Sequence, residues 1–382
     1  MLLTEQQEMI QTMARRFAQE RLAPNAAEWD RTKYFPKAEL HDMGKLGFLG
    51  ITVPEEWDGA GADVVSMACV LEELAAGEGA TSTIVSGHNS VACMPIAQFG
   101  TAAQKEQFLK PMARGEWIGA FALTEAHGGS DAGELTTRAV KSGNRYILSG
   151  SKQFITTGKN GDICIVFAKT QPERGSKGIS AFIVPTATPG YKVVRVESKM
   201  GQRASDTCQI AFEDMEIPAE NLLGQEGEGY KIALANLECG RIGIASQAVG
   251  IARSAYEVAV RYAKERKVFG KAIIEHQAVG FRLARMASRV ELARQLTLHS
   301  AVLKDAGKLC LMEACMAKLE ATEIAELVCS DAIQTLGGYG YLSDFPVERM
   351  ARDARVTKIY EGTNDIQHLV ILRELQRRPL VS

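Results

Sequence analysis

The chain has 382 residues, 46% hydrophobic and 24% charged, which is enough to bury the cores of two or three domains and too apolar for a disordered chain. Its 44 basic and 46 acidic side chains leave a formal charge of -2, so no overall field draws it to nucleic acid or an acidic lipid surface. No apolar run is long enough to span a bilayer, no basic start precedes an apolar h-region, and the eight cysteines form no CxxC pair. The expectation is buried free thiols, no metal site, no nucleic-acid partner and no integral membrane segment, in bacterial cytoplasm or in a mitochondrial matrix after loss of a transit peptide.

Thr4 and Gln7 stand at capping-box spacing ahead of Ile10, Met13, Ala14 and Phe17, so the chain is expected to start with a helix. Pro24, Pro36 and Pro54 interrupt the segment after it, while 67–74 and 104–109 again favour helix, giving a mostly helical domain over residues 1–118. From Gly119 the pattern turns to short β-rich runs at 146–148, 153–156, 163–167, 179–184, 191–196 and 209–212. Turns are expected at Ser142-Gly143-Asn144, Ser149-Gly150, Asn160-Gly161 and Pro189-Gly190. This spacing predicts an antiparallel barrel or sandwich over 119–225 rather than βαβ units. No proline occurs between Pro218 and Pro346, and 278–303 and 311–333 carry apolar residues at helical spacing, with breaks at Gly307-Lys308 and Gly337-Gly338. A helix bundle over 226–382 completes an α+β, mostly helical protein.

Near the end, Tyr360-Glu361-Gly362-Thr363 sets a carboxylate beside a glycine just before a helix in which Asn364 and Gln367 have capping-box spacing and Ile366, Leu369 and Val370 have helical spacing. Free amides of such a first turn attract phosphate. A loop carboxylate is ordinarily solvated, so other motifs must carry the argument. Upstream, Phe121 to Asp131 leaves an apolar strand for Gly128-Gly129 and Ser130, small residues that permit close backbone approach to a planar or phosphorylated ligand. Arg266-Lys267-Val268-Phe269-Gly270 reads by itself as a helix end with a basic cap.

Five series in order resemble the acyl-CoA dehydrogenase family over essentially the whole chain. They are Leu123-Thr124-Glu125 with Gly129-Ser130-Asp131; Gly150-Ser151-Lys152 with Phe154-Ile155-Thr156; Glu265 to Gly270; Gln334-Thr335-Leu336-Gly337-Gly338; and Tyr360-Glu361-Gly362-Thr363. The resemblance implies an N-terminal helical domain, a middle β domain and a C-terminal four-helix bundle, assembled as a homotetramer with one FAD per subunit. It implies flavin contacts at Phe121, Leu123, Thr124, Ser130, Phe154 and Thr156. Arg266, Phe269, Gln277, Gln334, Gly337 and Gly338 resemble positions that hold the rest of FAD across a subunit boundary, with Thr363 and Asp365 at a helix start beside it. Ser130 and Arg241 resemble contacts to the CoA portion, with Tyr360 and Gly362 beside the acyl group.

In the chemistry the resemblance implies, Glu361 removes the thioester α-proton while its own amide and a ribityl hydroxyl of FAD hold the carbonyl, and the β-hydrogen leaves as hydride. Some members carry the base just before the arginine that corresponds to Arg241; here that position is Gly240, and Glu238 is expected to point elsewhere. Ala126-His127, Phe154, Val268 and His368 depart from commoner family residues, and His127 reads as a polar turn residue. The implied function is dehydrogenation of a short-chain or short-branched-chain acyl-CoA, with electrons passed to electron-transfer flavoprotein. The subfamily resemblance lies in 201–208 and 240–247. An oxygen-using acyl-CoA oxidase or related flavin enzyme, and a non-catalytic acyl-CoA-binding protein, are the alternatives.

Overall fold

The computed structural model describes residues 2–377; Met1 and residues 378–382, the outer ends of the first and third expected domains, lie outside the described residues. The N-terminal part is helical: α1 (Glu5–Phe17), α2 (Ala26–Thr32), α3 (Lys37–Lys45), α4 (Val64–Gly77), α5 (Gly79–Gly87), α6 (Met94–Phe99), α7 (Ala102–Gln104) and α8 (Lys110–Ala113). The cap at α1 forms as its spacing predicts, with Thr4 Oγ1 accepting from the Gln7 amide at 3.3 Å and Gln7 Oε1 accepting from the Thr4 amide at 3.0 Å.

The middle part is one eight-stranded sheet: β1 (Gly119–Ala122), β2 (Arg138–Ser142), β3 (Arg145–Thr156), β4 (Ile163–Lys169), β5 (Ile179–Pro185), β6 (Tyr191–Val196), β7 (Thr207–Pro218) and β8 (Leu222–Leu223). Its order is β6-β7-β3-β2-β4-β5-β8, with β1 beside β4. The sheet is mixed and open, which corrects the expected antiparallel barrel or sandwich. β1 and β4 are parallel, as is the single β2–β4 pair, because a long turn after β1 lets it lie alongside a strand three positions later in the chain. Strand β4 is buried on both faces: Ile163, Ile165 and Phe167 pack towards the helices, while Cys164, Val166 and Ala168 pack within the sheet's own core.

Two expected strands are one. Ser149-Gly150 makes no turn but a bulge within β3, where the pairing to β7 shifts between Leu148 and Gly150. Gly150 has φ 149°, and a Cβ there would lie 2.7 Å from Thr137 Oγ1, so the glycine serves a close approach.

The C-terminal part holds α9 (Gly229–Glu265), a small hairpin of β9 (Lys267–Val268) and β10 (Lys271–Ala272), then α10 (Gln277–Asp305), α11 (Leu311–Leu336), α12 (Val347–Arg355) and α13 (Asn364–Arg377). Helices α9, α10 and α11 pack around an alanine-rich seam that includes Ala248, Ala252 and Ala255 of α9 and Ala317, Ala321 and Ala325 of α11, with the shorter α13 laid on α11. Helix α9 also packs on α4 and α5, so its middle lies between the bundle and the N-terminal helices. All eight cysteines are buried and free, and no described helix is long and apolar enough to cross a membrane.

Candidate active site

A cavity of about 360 Å3 opens where the end of β1, the bulged end of β3, the first half of α9 and the segment leading into α13 converge. It gathers Phe121, Leu123, Thr124, Ser130, Phe154 and Thr156 from the sheet with Arg241, Tyr360, Glu361 and Gly362 from the helical part. Local backbone irregularity puts Phe154 there. The β3–β7 register shifts again between Lys152 and Ile155, Phe154 takes φ 61°, and its ring is left 62% exposed on the cavity. The strand end opposite is held from below. Lys152, wholly buried, donates to the Leu123 carbonyl at 3.1 Å and to Glu125 at 2.8 Å, while Glu125 also accepts from the amides and hydroxyls of Thr136 and Thr137. Burial opposes ionisation of Glu125, but Lys152 and these donors outweigh it and hold the carboxyl at about 2.

Glu361 sits in a left-handed turn, at φ 55°, followed by Gly362 at φ 85°. Its Oε2 is shut off from solvent with no hydrogen-bond partner among the described residues, and burial raises the carboxyl to about 7 although Arg241 and Lys318 pull the other way. Gly240 makes room for it: a Cβ on that residue would stand 2.9 Å from Glu361 Oε2 and 3.1 Å from its Cδ. Glu238 turns away, to Lys304 at 3.2 Å and Cys310 Sγ at 2.7 Å. Arg241 is 6% exposed, and its Nε likewise has no partner among the described residues. A buried unpaired carboxylate oxygen and a buried unpaired guanidinium nitrogen on one cavity are costly unless a ligand satisfies them. Chemically, the pair provides a proton acceptor poised near neutrality beside a fixed cation.

The tyrosine next door closes the cavity with polar groups. Tyr360 donates its hydroxyl to Gln247 Oε1, accepts from Gln202 Nε2 at 3.2 Å and lies 3.3 Å from Thr83 Oγ1. Gln247, Gln202, Thr83 and Lys318 were not among the expected site residues. Gln202 and Gln247 lie within the segments 201–208 and 240–247 that carry the subfamily resemblance, and Lys318 left a trace as a lysine within the stripe Ala314, Ala317, Ala321 and Ala325.

The remaining expected residues separate from this cavity. Arg266, Gly337 and Gly338 line a second one of about 520 Å3 at the far end of α11. Phe269, at φ 53° in the β9–β10 hairpin, is 92% exposed, and Gln277 and Gln334 are exposed nearby in sequence but do not line that second cavity. Thr363, expected beside FAD, caps α13 by accepting from the Ile366 amide at 3.3 Å, and Asp365 is exposed in its first turn. The Asn364-Gln367 capping box does not form, because Asn364 turns to α11 and Gln367 Nε2 donates to the carbonyls of Glu361 and Gly362 at 3.2 and 2.8 Å. His127 lies at the surface, bonded to the Glu134 carbonyl at 3.1 Å.

Three family profiles match in register: the acyl-CoA dehydrogenase N-terminal domain over residues 4–116, the middle domain over 120–215 and the C-terminal domain over 227–376. An acyl-CoA dehydrogenase of Bacillus subtilis is 49% identical over 375 residues, 98% of this chain and 99% of that one. The chain belongs to the acyl-CoA dehydrogenase family. Among solved structures of similar shape, butyryl-CoA dehydrogenase from Megasphaera elsdenii has a TM-score of 0.97 and 42% identity, covering 99% of this chain and 100% of that one. A chain in a structure of the electron-transferring flavoprotein of Acidaminococcus fermentans has a TM-score of 0.97 and 47% identity, covering 99% of both chains.

Acyl-CoA dehydrogenases are FAD-dependent, and this one is too. The residues present fit the group: an exposed phenyl ring and Leu123 offer an apolar wall to a flat heterocycle, the hydroxyls of Thr124 and Thr156 offer partners for its polar edge, and the backbone bulge keeps the slot open.

Proposed function

We propose that the protein dehydrogenates a short-chain acyl-CoA, linear or singly branched, to the trans-2-enoyl-CoA, with Glu361 as the base and electron-transfer flavoprotein as the electron acceptor. The observation that carries this reading is the buried, unpartnered Oε2 of Glu361 on the cavity that also holds the flavin-facing residues. A thioester α-proton is weakly acidic, so its removal needs a desolvated carboxylate and donors for the charge that grows on the carbonyl oxygen. The Glu361 backbone N–H, which has no partner among the described residues, is available as one such donor. Bound FAD supplies the acceptor for the β-hydride. Phe121, Leu123, Thr124, Phe154 and Thr156 would hold the flavin ring, Arg241 and Ser130 the CoA portion, and Tyr360 and Gly362 would border the acyl group.

The polar floor of Tyr360 and Thr83, backed by Gln247 and Gln202, supports the short chain, because a long apolar chain would have to displace bonded polar groups and leave them unpaired. The exposed Phe269 hairpin and the separate cavity at Arg266, Gly337 and Gly338 support a homotetramer in which subunits share the FAD sites. Catalytic efficiency from butyryl-CoA through palmitoyl-CoA, measured with an artificial acceptor on a preparation shown tetrameric by light scattering, is expected to peak at four or five carbons. An optimum among long chains would overturn the substrate reading, and a catalytically competent monomer the subunit-sharing one.

A further inference from the structure

The turn that carries Glu361 is fastened to a charge buried in the bundle. Lys318, in the first half of α11, has no solvent exposure, and its Nζ donates to the Gly362 carbonyl at 2.9 Å and to Asn364 Oδ1 at 2.9 Å. Asn364 is itself clamped by Thr322 Oγ1 at 3.1 Å and Glu323 Oε1 at 3.1 Å. One buried ammonium thus fixes the backbone on the C-terminal side of a non-glycine residue held in the left-handed region, where a side chain persists only when its surroundings determine it. Packing gives no reason for a lysine at this place. The rest of the stripe is small and apolar, and a neutral residue would escape the desolvation that lowers the ammonium to about 7.

We propose that Lys318 is the positioning residue of the base: it locks the Glu361-Gly362 turn so that the carboxylate faces the cavity, and its positive charge favours the ionised carboxylate. This rests on Glu361 being the base. The other charged or titratable groups facing the cluster are Arg241 and Glu238 on α9, Cys315 and Glu323 on α11, Lys358 ahead of the turn, and His368 and Glu374 on α13. Arg241 remains when Lys318 is removed, so loss of the lysine weakens ionisation of Glu361 without abolishing it.

The test is anaerobic reduction of the FAD-loaded protein by butyryl-CoA between pH 6 and 9. Lys318→Met is expected to keep FAD, to lower the limiting rate about tenfold to a hundredfold through misplacement of the base, and to move the lower limb of the pH profile to higher pH. Lys318→Gln keeps amide donors but no charge, so it should recover most of the rate and retain the shifted profile. A purely structural lysine would not move the profile. Wild-type rate and profile in Lys318→Met overturn the proposal; if that variant does not retain FAD, an unshifted profile in Lys318→Gln overturns it. Glu361→Gln run alongside separates the two ideas: if it is inert while both Lys318 variants match wild type, the lysine proposal alone fails. If Glu361→Gln reduces its flavin normally, the base assignment fails with it.

Discussion

Glu361→Gln is expected to lower turnover with butyryl-CoA by about a hundredfold to ten-thousandfold. The amide is nearly the same size as the acid, so it fits the space left by Gly240 and leaves the backbone donor of the turn in place. It also removes a buried ionisable group with no hydrogen-bond partner for Oε2, so stability should hold or rise slightly. What it cannot do is accept the α-proton. FAD content, thermal midpoint and affinity for trans-2-butenoyl-CoA should stay near wild type while steady-state turnover collapses. Retained turnover would assign the proton to another group and make Glu361 a bystander of the cavity.

Lys152→Met is expected to destabilise the protein by about 3–5 kcal/mol, since removing one member of a buried ion pair strands the other. Side-chain exposure is 0% for Lys152 and 3% for Glu125, and their N···O distance is 2.8 Å. Lys45 and Asp42 are also 2.8 Å apart, but with 75% and 33% exposure, so Lys45→Met should change stability by no more than about 0.5 kcal/mol. Burial, not distance, decides the difference. Because Lys152 also holds the Leu123 carbonyl beside the flavin-facing residues, its loss should lower FAD retention after gel filtration along with the thermal midpoint. An unchanged midpoint and full FAD retention in Lys152→Met would contradict this account of how the cavity wall is supported.

Local signals in the chain were legible where neighbouring residues decide the outcome. Thr4 and Gln7 form their cap, Gly307 and Gly337 stand just past the ends of α10 and α11, and the β-rich runs lie within strands. Elements that depend on distant partners were not. The parallel seat of β1 beside β4 is settled by a contact across some forty positions, and Gly150 looks like a turn residue until Thr137 is brought against it. Asn364 and Gln367 have capping-box spacing, yet α11 offers Asn364 a lysine, a threonine and a glutamate, and these contacts prevail. Motif order brought ten of the expected residues to one cavity. Lys318 escaped notice because a lysine in a long helix is ordinarily solvated. Of the polar floor only Tyr360 was expected at the site; its partners Thr83, Gln202 and Gln247 escaped, since they lie far apart in the chain and share no spacing with it.

The most direct test of a base-driven dehydrogenation is to mix wild-type, FAD-loaded protein anaerobically with butyryl-CoA and follow flavin absorbance from pH 6 to 9. Burial raises Glu361 to about 7, and the carboxylate works only when ionised. Hence kred/Kd should rise about tenfold per pH unit below that value and level off above it. Flavin bleaching with that profile is the predicted result; flavin that stays oxidised, or bleaching at a rate indifferent to pH across this range, would contradict it.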